Sequence, residues 1–343
     1  MSPLANQLVH RALHQPVDEF KRRQGKRIRG SLAQICYEVA GGRGPFSDHI
    51  VEAIECLHAG SLVIDDIQDE SQFRRGVPTL HQSIGVPLAI NAGNWMYFRA
   101  LELLMTAPLP NDQRMKLVEA MVTTGRRCHE GQAIDLHARL DQLSVKHWRS
   151  TAEAISNLKT GALVELAVSL GCIAAGAPVA LSSALTSFGC QIGVALQMRN
   201  DLDELINIAA SEIAASEAET NHGCVRDEDL RHARVTWPWV WAAELTDHAY
   251  CQSFTERLAT TNHERQMIAA SLVSLVQAHG NRVIEAIIRE QLRLLGEHVV
   301  DQSVLGRLRE CLQPIAVSRM QAALPAEAYN EAYQLHRPTV GAN

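Results

Sequence analysis

The chain has 343 residues, of which 46% are hydrophobic, 20% charged and 5% aromatic. That length supplies a sizeable core in one large domain or two ordinary ones, and the apolar fraction excludes a disordered chain. Lys and Arg number 32 against 38 Asp and Glu, a formal net charge of -6 at pH 7. This excludes a generally basic nucleic-acid binder and leaves room for a local basic site facing an anion.

Only 21 Gly and 12 Pro punctuate the chain, while the helix formers Ala, Leu, Glu, Gln and Arg are abundant. The expectation is an all-α protein. The opening MSPLANQLVHRALHQP has no apolar h-region, so no signal peptide is expected. The best membrane candidate, Ala162 to Pro178, is interrupted by Glu165 and studded with Gly and Ser. It reads as a buried helix, giving a cytoplasmic protein with no membrane span. The eight cysteines are scattered without a CxxC pair and read as reduced core residues.

In chain order, the first strong element is a helix over 48–69, where Val51, Ile54, Leu57, Ser61/Leu62 and Asp65 follow three- and four-residue steps behind a Ser47 or Asp48 cap. Helices are predicted over 91–105, 111–140, 148–171, 181–208, 239–261, 264–279, 281–295 and 302–324. Breaks fall at 41–46, 74–79, 85–87, 107–110 and 176–178. The polar stretch 211–229 reads as a mobile loop, and 336–343 as a flexible tail. No linker or repeat appears, so the expectation is a single helical bundle over 1–343 with an ordered core of about 16–330.

The most informative stretch runs LHAGSLVIDDIQDESQFRRGVPT, from Leu57 to Thr79. Asp65 and Asp69 lie four apart and so share one helical face, with His58 seven before Asp65 on the same side. The residues in front (Leu62, Val63, Ile64) are apolar and read as buried. Carboxylates crowded at the end of a buried helix repel one another, and a hard divalent cation with oxygen ligands relieves that cost. Arg74 and Arg75 follow at once and suit bidentate clamping of phosphate. A bare DDxxD is equally a solvated acidic helix end; the trailing Arg-Arg-Gly and the apolar lead favour a metal–phosphate site.

This segment resembles the first aspartate-rich motif of the trans-isoprenyl diphosphate synthases, and most resembles the geranylgeranyl diphosphate synthases of eukaryotic type. Four further segments carry the resemblance. Gly25-Lys26-Arg27-Ile28-Arg29 is similar to GKxxR, Gly131-Gln132 to Leu136 to GQxxDL, and Lys159-Thr160-Gly161 to the KT pair. Gln197-Met198-Arg199-Asn200-Asp201-Leu202-Asp203-Glu204 is similar to the second motif, QIxDDxxD, but carries Asn200 where the family has Asp. An Asn oxygen coordinates without charge, which puts the third metal site in doubt or moves it to Asp201 and Glu204.

The resemblance implies an all-α bundle of the isoprenoid synthase type with a central cavity, and head-to-tail condensation of isopentenyl diphosphate with an allylic diphosphate of C5 to C15. It implies three Mg²⁺ ions, with Mn²⁺ as an alternative, on Asp65, Asp69 and Asp201 with help from Asn200 or Glu204. The catalytic set is Asp65, Asp66, Asp69, Lys159, Thr160, Gln197 and Asp201. Isopentenyl diphosphate falls to Lys26, Arg29, His58 and Arg75; the allylic diphosphate falls to Arg74, Lys159, Arg226 and Arg234. The chain-length floor is expected at Leu57, Gly60 and Ser61, whose small members leave the tunnel open towards C20, with a deeper plug from Leu57 or from the 91–105 helix. A homodimer is implied, with neither nucleic acid nor a membrane span. Trp237, Trp239 and Trp241 read as core, or as a cation-stabilising wall. Two other readings stay open: a terpene cyclase on the same scaffold, and a modulating subunit of a partner synthase.

Overall fold

The structure, a computed structural model, describes residues 1–23, 28–215, 227–255, 258, 261–299 and 301–317. Its elements are α1 (Pro3–Val9), a π turn (His10–His14), α2 (Gln15–Arg22), α3 (Ile28–Val39) and α4 (Asp48–Gln68), then strands β1 (Phe73–Arg74) and β2 (Val77–Pro78). There follow α5 (Leu80–Ile84), α6 (Val86–Met105), α7 (Asn111–His137), α8 (Trp148–Ser156), a second π turn (Asn157–Gly161), α9 (Ala162–Ala175) and α10 (Val179–Ala215). The remainder comprises α11 (Glu228–Arg231), α12 (Trp237–Leu245), α13 (His248–Thr255), α14 (Asn262–Gly296) and α15 (Gln302–Ala316). Among the described residues the fold is all-α apart from one two-stranded hairpin.

Several helix boundaries differ from the periodicity reading, each for a local reason. The expected helix over 148–171 is continuous in path but carries the π turn at its middle. The expected helix over 239–261 is cut at Thr246, whose extended backbone ends α12. The two helices expected on either side of Gly280 are one, α14. A β-carbon at Gly280 would lie 2.5 Å from the Trp241 ring, so this glycine answers to packing and not to a helix end. Helix α10 runs seven residues past the expected Ile208, into the stretch read as a loop; residues 216–226 and the tail from 318 lie outside the described residues.

Contacts divide the chain into two compact units. The first comprises 1–129, 159–193 and 291–311. Its core gathers Ile50, Ile54, Leu57, Leu104, Leu117 and Leu170. Helices α4 and α6 cross at two glycines: a β-carbon on Gly60 would meet the Gly93 carbonyl at 2.8 Å and the Tyr97 ring at 2.9 Å, and one on Gly93 would meet Ile64 at 2.8 Å. Interiors packed to crystal density have no room to absorb such overlaps, so the pair fixes how closely the helices approach.

The second unit comprises 130–158, 194–290 and 312–343. Its core is built on tryptophan. Trp148 and Trp239 meet edge to face at 6.1 Å between ring centres, and Trp237 and Trp241 lie at 6.2 Å. All four are at most 2% exposed. The indole N–H of Trp237 donates to Ser156 Oγ at 2.8 Å, satisfying the one polar atom its burial would otherwise strand. The tryptophans of α12 are therefore core.

Two helical stretches, 145–175 and 179–210, are long and apolar enough by composition to cross a bilayer; the first overlaps the candidate at 162–178, and the second was not expected. Many of their apolar residues are spent on the protein's own interior: Val164, Leu166, Val168 and Leu170 of α9, and Leu185, Phe188, Ile192, Leu202 and Ile206 of α10, are nearly or wholly buried.

Candidate active site

The acids of the first cluster sit at the C-terminal end of α4, where the helix dipole is negative and carboxylates are unfavourable unless a cation answers them. Two cations do. Asp66 is 1% exposed and holds Arg74 in a fork: Nε at 2.9 and 2.8 Å from its two oxygens, and Nη2 at 2.6 Å. Arg74 reaches it because β1 and β2 fold the chain back, pairing Phe73 with Pro78 and Arg74 with Val77. Asp66, expected to be catalytic, and Arg74, expected on the allylic diphosphate, thus spend their charges on each other. Asp65 keeps 30% of its side chain exposed and lies 3.8 Å from Lys159 Nζ. Asp69 caps the helix half-buried.

Lys159 and Thr160 lie in the π turn, the inserted residue that marks many functional sites. The Cys128 thiol donates to the Lys159 carbonyl at 3.8 Å. Gly193 lets α10 approach this turn: a β-carbon there would lie 2.7 Å from the Thr160 carbonyl oxygen. Thr160 is 7% exposed.

A second group of cations gathers nearby in the same unit. Arg29 Nη1 lies 3.1 Å from His58 Nε2. Because a guanidinium only donates, Nε2 is the acceptor and the ring proton sits on Nδ1. That Nδ1 and Arg29 Nε are buried without a hydrogen-bond partner. Burial, then Arg29, Arg74 and Arg75, hold His58 well below the usual imidazole range, so it is neutral. Burial also lowers Arg29, against the attraction of Glu55. Glu55 is 4% exposed and was not singled out in the sequence, although it lies one turn before His58.

Arg75 sits at the tip of the hairpin with φ 56°, followed by Gly76 at 77°, the two left-handed residues of a type I′ turn. Its Nη1 donates to the Arg23 carbonyl at 2.8 Å. Phe20, Arg23, Leu62, Arg74, Arg75, Val77 and Pro78 line a small pocket here. Lys26 lies outside the described residues.

The expected chain-length floor is occupied differently. Gly60 is not an opening, because the room its missing side chain leaves is filled by the Gly93 carbonyl and Tyr97. Leu57 is core, and Ser61 donates its hydroxyl to the His58 carbonyl at 2.8 Å. Tyr97 packs against His129, ring edge to face at 5.9 Å. Burial first, and then Asp65, keep its phenol protonated. Neither aromatic was named from the sequence. The signal available was only that Tyr97 lies on the helix expected to supply the plug.

In the second unit, Asp201 is 7% exposed and both its oxygens are taken: Gln197 Nε2 donates to one at 2.7 Å and the Trp237 backbone N–H to the other at 3.0 Å. Arg199, 2% exposed, donates to the Ile315 carbonyl at 3.0 Å, to Asn281 at 2.9 Å and to Asp203 at 3.4 Å. Asn200 is exposed and Glu204 half-buried. Arg234, expected to meet diphosphate, is 6% exposed, and its guanidinium donates to the Asp135 carbonyl. The bridge between Arg139 and Arg234 holds it there. Arg226 lies outside the described residues.

The donor set fits a hard cation. Among the described residues no three His, Cys, Asp or Glu converge well enough to hold a metal alone. Asp65 and Asp69 offer carboxylate oxygens one turn apart, as Mg²⁺ requires when phosphate oxygens complete its shell.

A family model described as polyprenyl synthetase matches residues 10–276. The chain is 34% identical to the geranylgeranyl diphosphate synthase of Sulfolobus acidocaldarius over 190 residues, 55% of this chain and 56% of that enzyme. It is 27% identical to geranylgeranyl pyrophosphate synthase 2 of Zymoseptoria tritici over 88% of this chain and 86% of that one. The crystal structure of geranylgeranyl pyrophosphate synthetase from Pyrococcus horikoshii Ot3 superposes with a TM-score of 0.70 at 25% identity, covering 89% of this chain and 90% of that one. The aligned stretch spans little more than half the length of several curated relatives, 56% for the Sulfolobus enzyme and 59% for that of Geoglobus acetivorans. With 10–276 matched by a single family model, this chain belongs to the polyprenyl synthetase family.

Proposed function

We propose that the protein is a Mg²⁺-dependent trans-prenyltransferase that condenses isopentenyl diphosphate with an allylic diphosphate, yielding geranylgeranyl diphosphate or a close relative. The observation that carries this is the end of α4, where Asp65 faces the Lys159 ammonium on its π turn while Arg29 and Arg75, beside the neutral His58, form a separate cationic group in the same unit. One diphosphate is to ionise and the other to stay intact, so a synthase needs two distinct anion sites.

Bound Mg²⁺ supplies Lewis-acid stabilisation of the departing diphosphate. Asp65 and Asp69 would hold it, and Asn200 and Glu204 are proposed separately as metal ligands of the second unit. Asp201 enters this reading as the residue that fixes Gln197 and the start of α12. Lys159 donates to the leaving diphosphate as its negative charge grows, stabilising the transition state more than the ground state. Arg29, His58 and Arg75, with Lys26, orient isopentenyl diphosphate, and the neutral His58 presents its buried Nδ1–H as a donor. The Thr160 oxygens face the allylic cation. The double bond of isopentenyl diphosphate attacks that cation, and the tertiary cation so formed loses a proton to the released diphosphate, so no side-chain base is assigned.

Tyr97 and His129 are assigned as the wall that stops the growing chain, in place of Gly60 and Ser61. A homodimer is part of the same reading: Phe98, Met105, Met115 and Val122 on α6 and α7 stand 55–72% exposed, more apolar surface than an isolated subunit favours. A reducing cytoplasm suits the seven described cysteines, all of them free thiols.

The test is mass spectrometry of products from isopentenyl diphosphate with C5, C10 and C15 primers, with Mg²⁺ and with EDTA. Elongated diphosphates that need Mg²⁺ are expected, and Tyr97→Ala lengthens them. Hydrocarbon formed without isopentenyl diphosphate, and no elongation, would establish the cyclase instead. The locked Asp201 and uncharged Asn200 favour one rival, a modulating subunit, which predicts no product alone and an altered product from a partner synthase.

A further inference from the structure

Away from these sites, Lys21 of α2 meets two side chains of α4. Its ammonium is hydrogen-bonded to Glu52, and it lies 3.5 Å from the sulfur of Cys56. The same Glu52 oxygen lies 3.7 Å from that sulfur. An ion pair needs only the lysine and the carboxylate; the thiol is a third member held within reach of both. Cys56 is 1% exposed, which keeps bulky disulfide partners away, while 19% of the Lys21 side chain and 41% of that of Glu52 are open to solvent. The lysine and carboxylate that touch the thiol are thus the open side of the cluster, and only a small oxidant suits so buried a sulfur.

We propose that Lys21 and Cys56 are a modification site at which dioxygen or hydrogen peroxide closes a reversible N–O–S cross-link between α2 and α4. With dioxygen, the amine, the thiol and O₂ give Lys–NH–O–S–Cys and one water. With peroxide, two H₂O₂ give the same bridge and three waters. The N–O and O–S bonds form, one N–H, the S–H and the O–O bond break, nitrogen and sulfur are oxidised and the oxidant is reduced. The proton that the ammonium must lose before its nitrogen can bond leaves to solvent; burial favours that loss, but the hold of Glu52 keeps Lys21 above its usual range. Two equivalents of dithiol return the amine, the thiol and water. The bridge pins α2 to the helix that carries His58 and Asp65.

Burial pushes the thiol up to about 11 against the pull of Lys21, so the thiolate that reacts is scarce and the cross-link forms slowly, under sustained oxidant. This restraint suits a switch that ignores brief exposure.

The experiment treats the full chain with hydrogen peroxide, digests it without reductant and analyses the peptides by mass spectrometry. The expected product joins the Lys21 and Cys56 peptides with a mass about 14 Da above their sum, one oxygen gained and two hydrogens lost. Dithiothreitol abolishes it, and Lys21→Arg, which keeps the ion pair, never forms it. Recovery of Cys56 as a free thiol or a sulfinic acid, with Lys21 unmodified in folded protein, overturns the proposal. Because the wild-type digest is decisive by itself, a variant that fails to fold leaves the outcome intact.

Discussion

At the end of α4, Asp65 keeps 30% of its side chain in solvent, with the Lys159 ammonium 3.8 Å away. On α10, Asp201 is 7% exposed, and a side-chain amide and a backbone N–H occupy both its oxygens. The two clusters read alike as sequence, yet one presents its charge and the other consumes it. Within the first cluster the same division recurs one residue apart, because Asp66 is sealed by Arg74 while Asp65 is left to act. An acid-rich motif therefore mixes open carboxylates with girders, and burial separates them.

The largest effect expected is functional. Asp65→Asn should cost about 10²–10³-fold in kcat/KM at saturating Mg²⁺ while leaving the melting temperature nearly unchanged. If activity survives, the division fails at its most exposed member. Arg74→Ala strands a buried carboxylate, so a stability loss of about 3–5 kcal/mol is expected by chemical denaturation. A loss under 1 kcal/mol would show Asp66 to be hydrated and not a girder.

Asp201→Asn turns an acceptor into a donor opposite another donor. Its expected cost is about 1–3 kcal/mol of stability, with a smaller kinetic loss than Asp65→Asn once the protein is folded. The reverse pattern, full stability with abolished activity, would make Asp201 the ligand the motif suggests.

The smallest effect is in pH. His58 is held neutral in the folded protein, whereas its unfolded form protonates near pH 6.5. Stability is thus lost as pH falls below about 6.5, by up to ~1.4 kcal/mol per unit from this group. Comparing urea midpoints at pH 7 and pH 5 should show a shallower decline for His58→Gln. An identical decline would place the sensitive group elsewhere.

Helical periodicity and the spacing of the acids made the fold class and the end of α4 legible in the sequence. Harder to see was anything decided by a partner far along the chain. Gly60 promised an open floor only while Gly93 and Tyr97 were out of view. Arg234 resembled a phosphate ligand until the Asp135 carbonyl claimed it, and Arg199, at a position the second motif leaves open, anchors Asp203, Asn281 and the Ile315 carbonyl. The π turn at Lys159 is a matter of one inserted residue, to which a 3.6-residue period is nearly blind.

The hairpin tip has one further consequence. Arg75 holds a left-handed backbone that an L-residue adopts at a cost of about 1–2 kcal/mol. Glycine would take that shape freely, so Arg75→Gly should make the folded chain more stable and its grip on anions weaker. Under the proposed function the side chain stands where a better structural choice exists, a concession of durability to recognition.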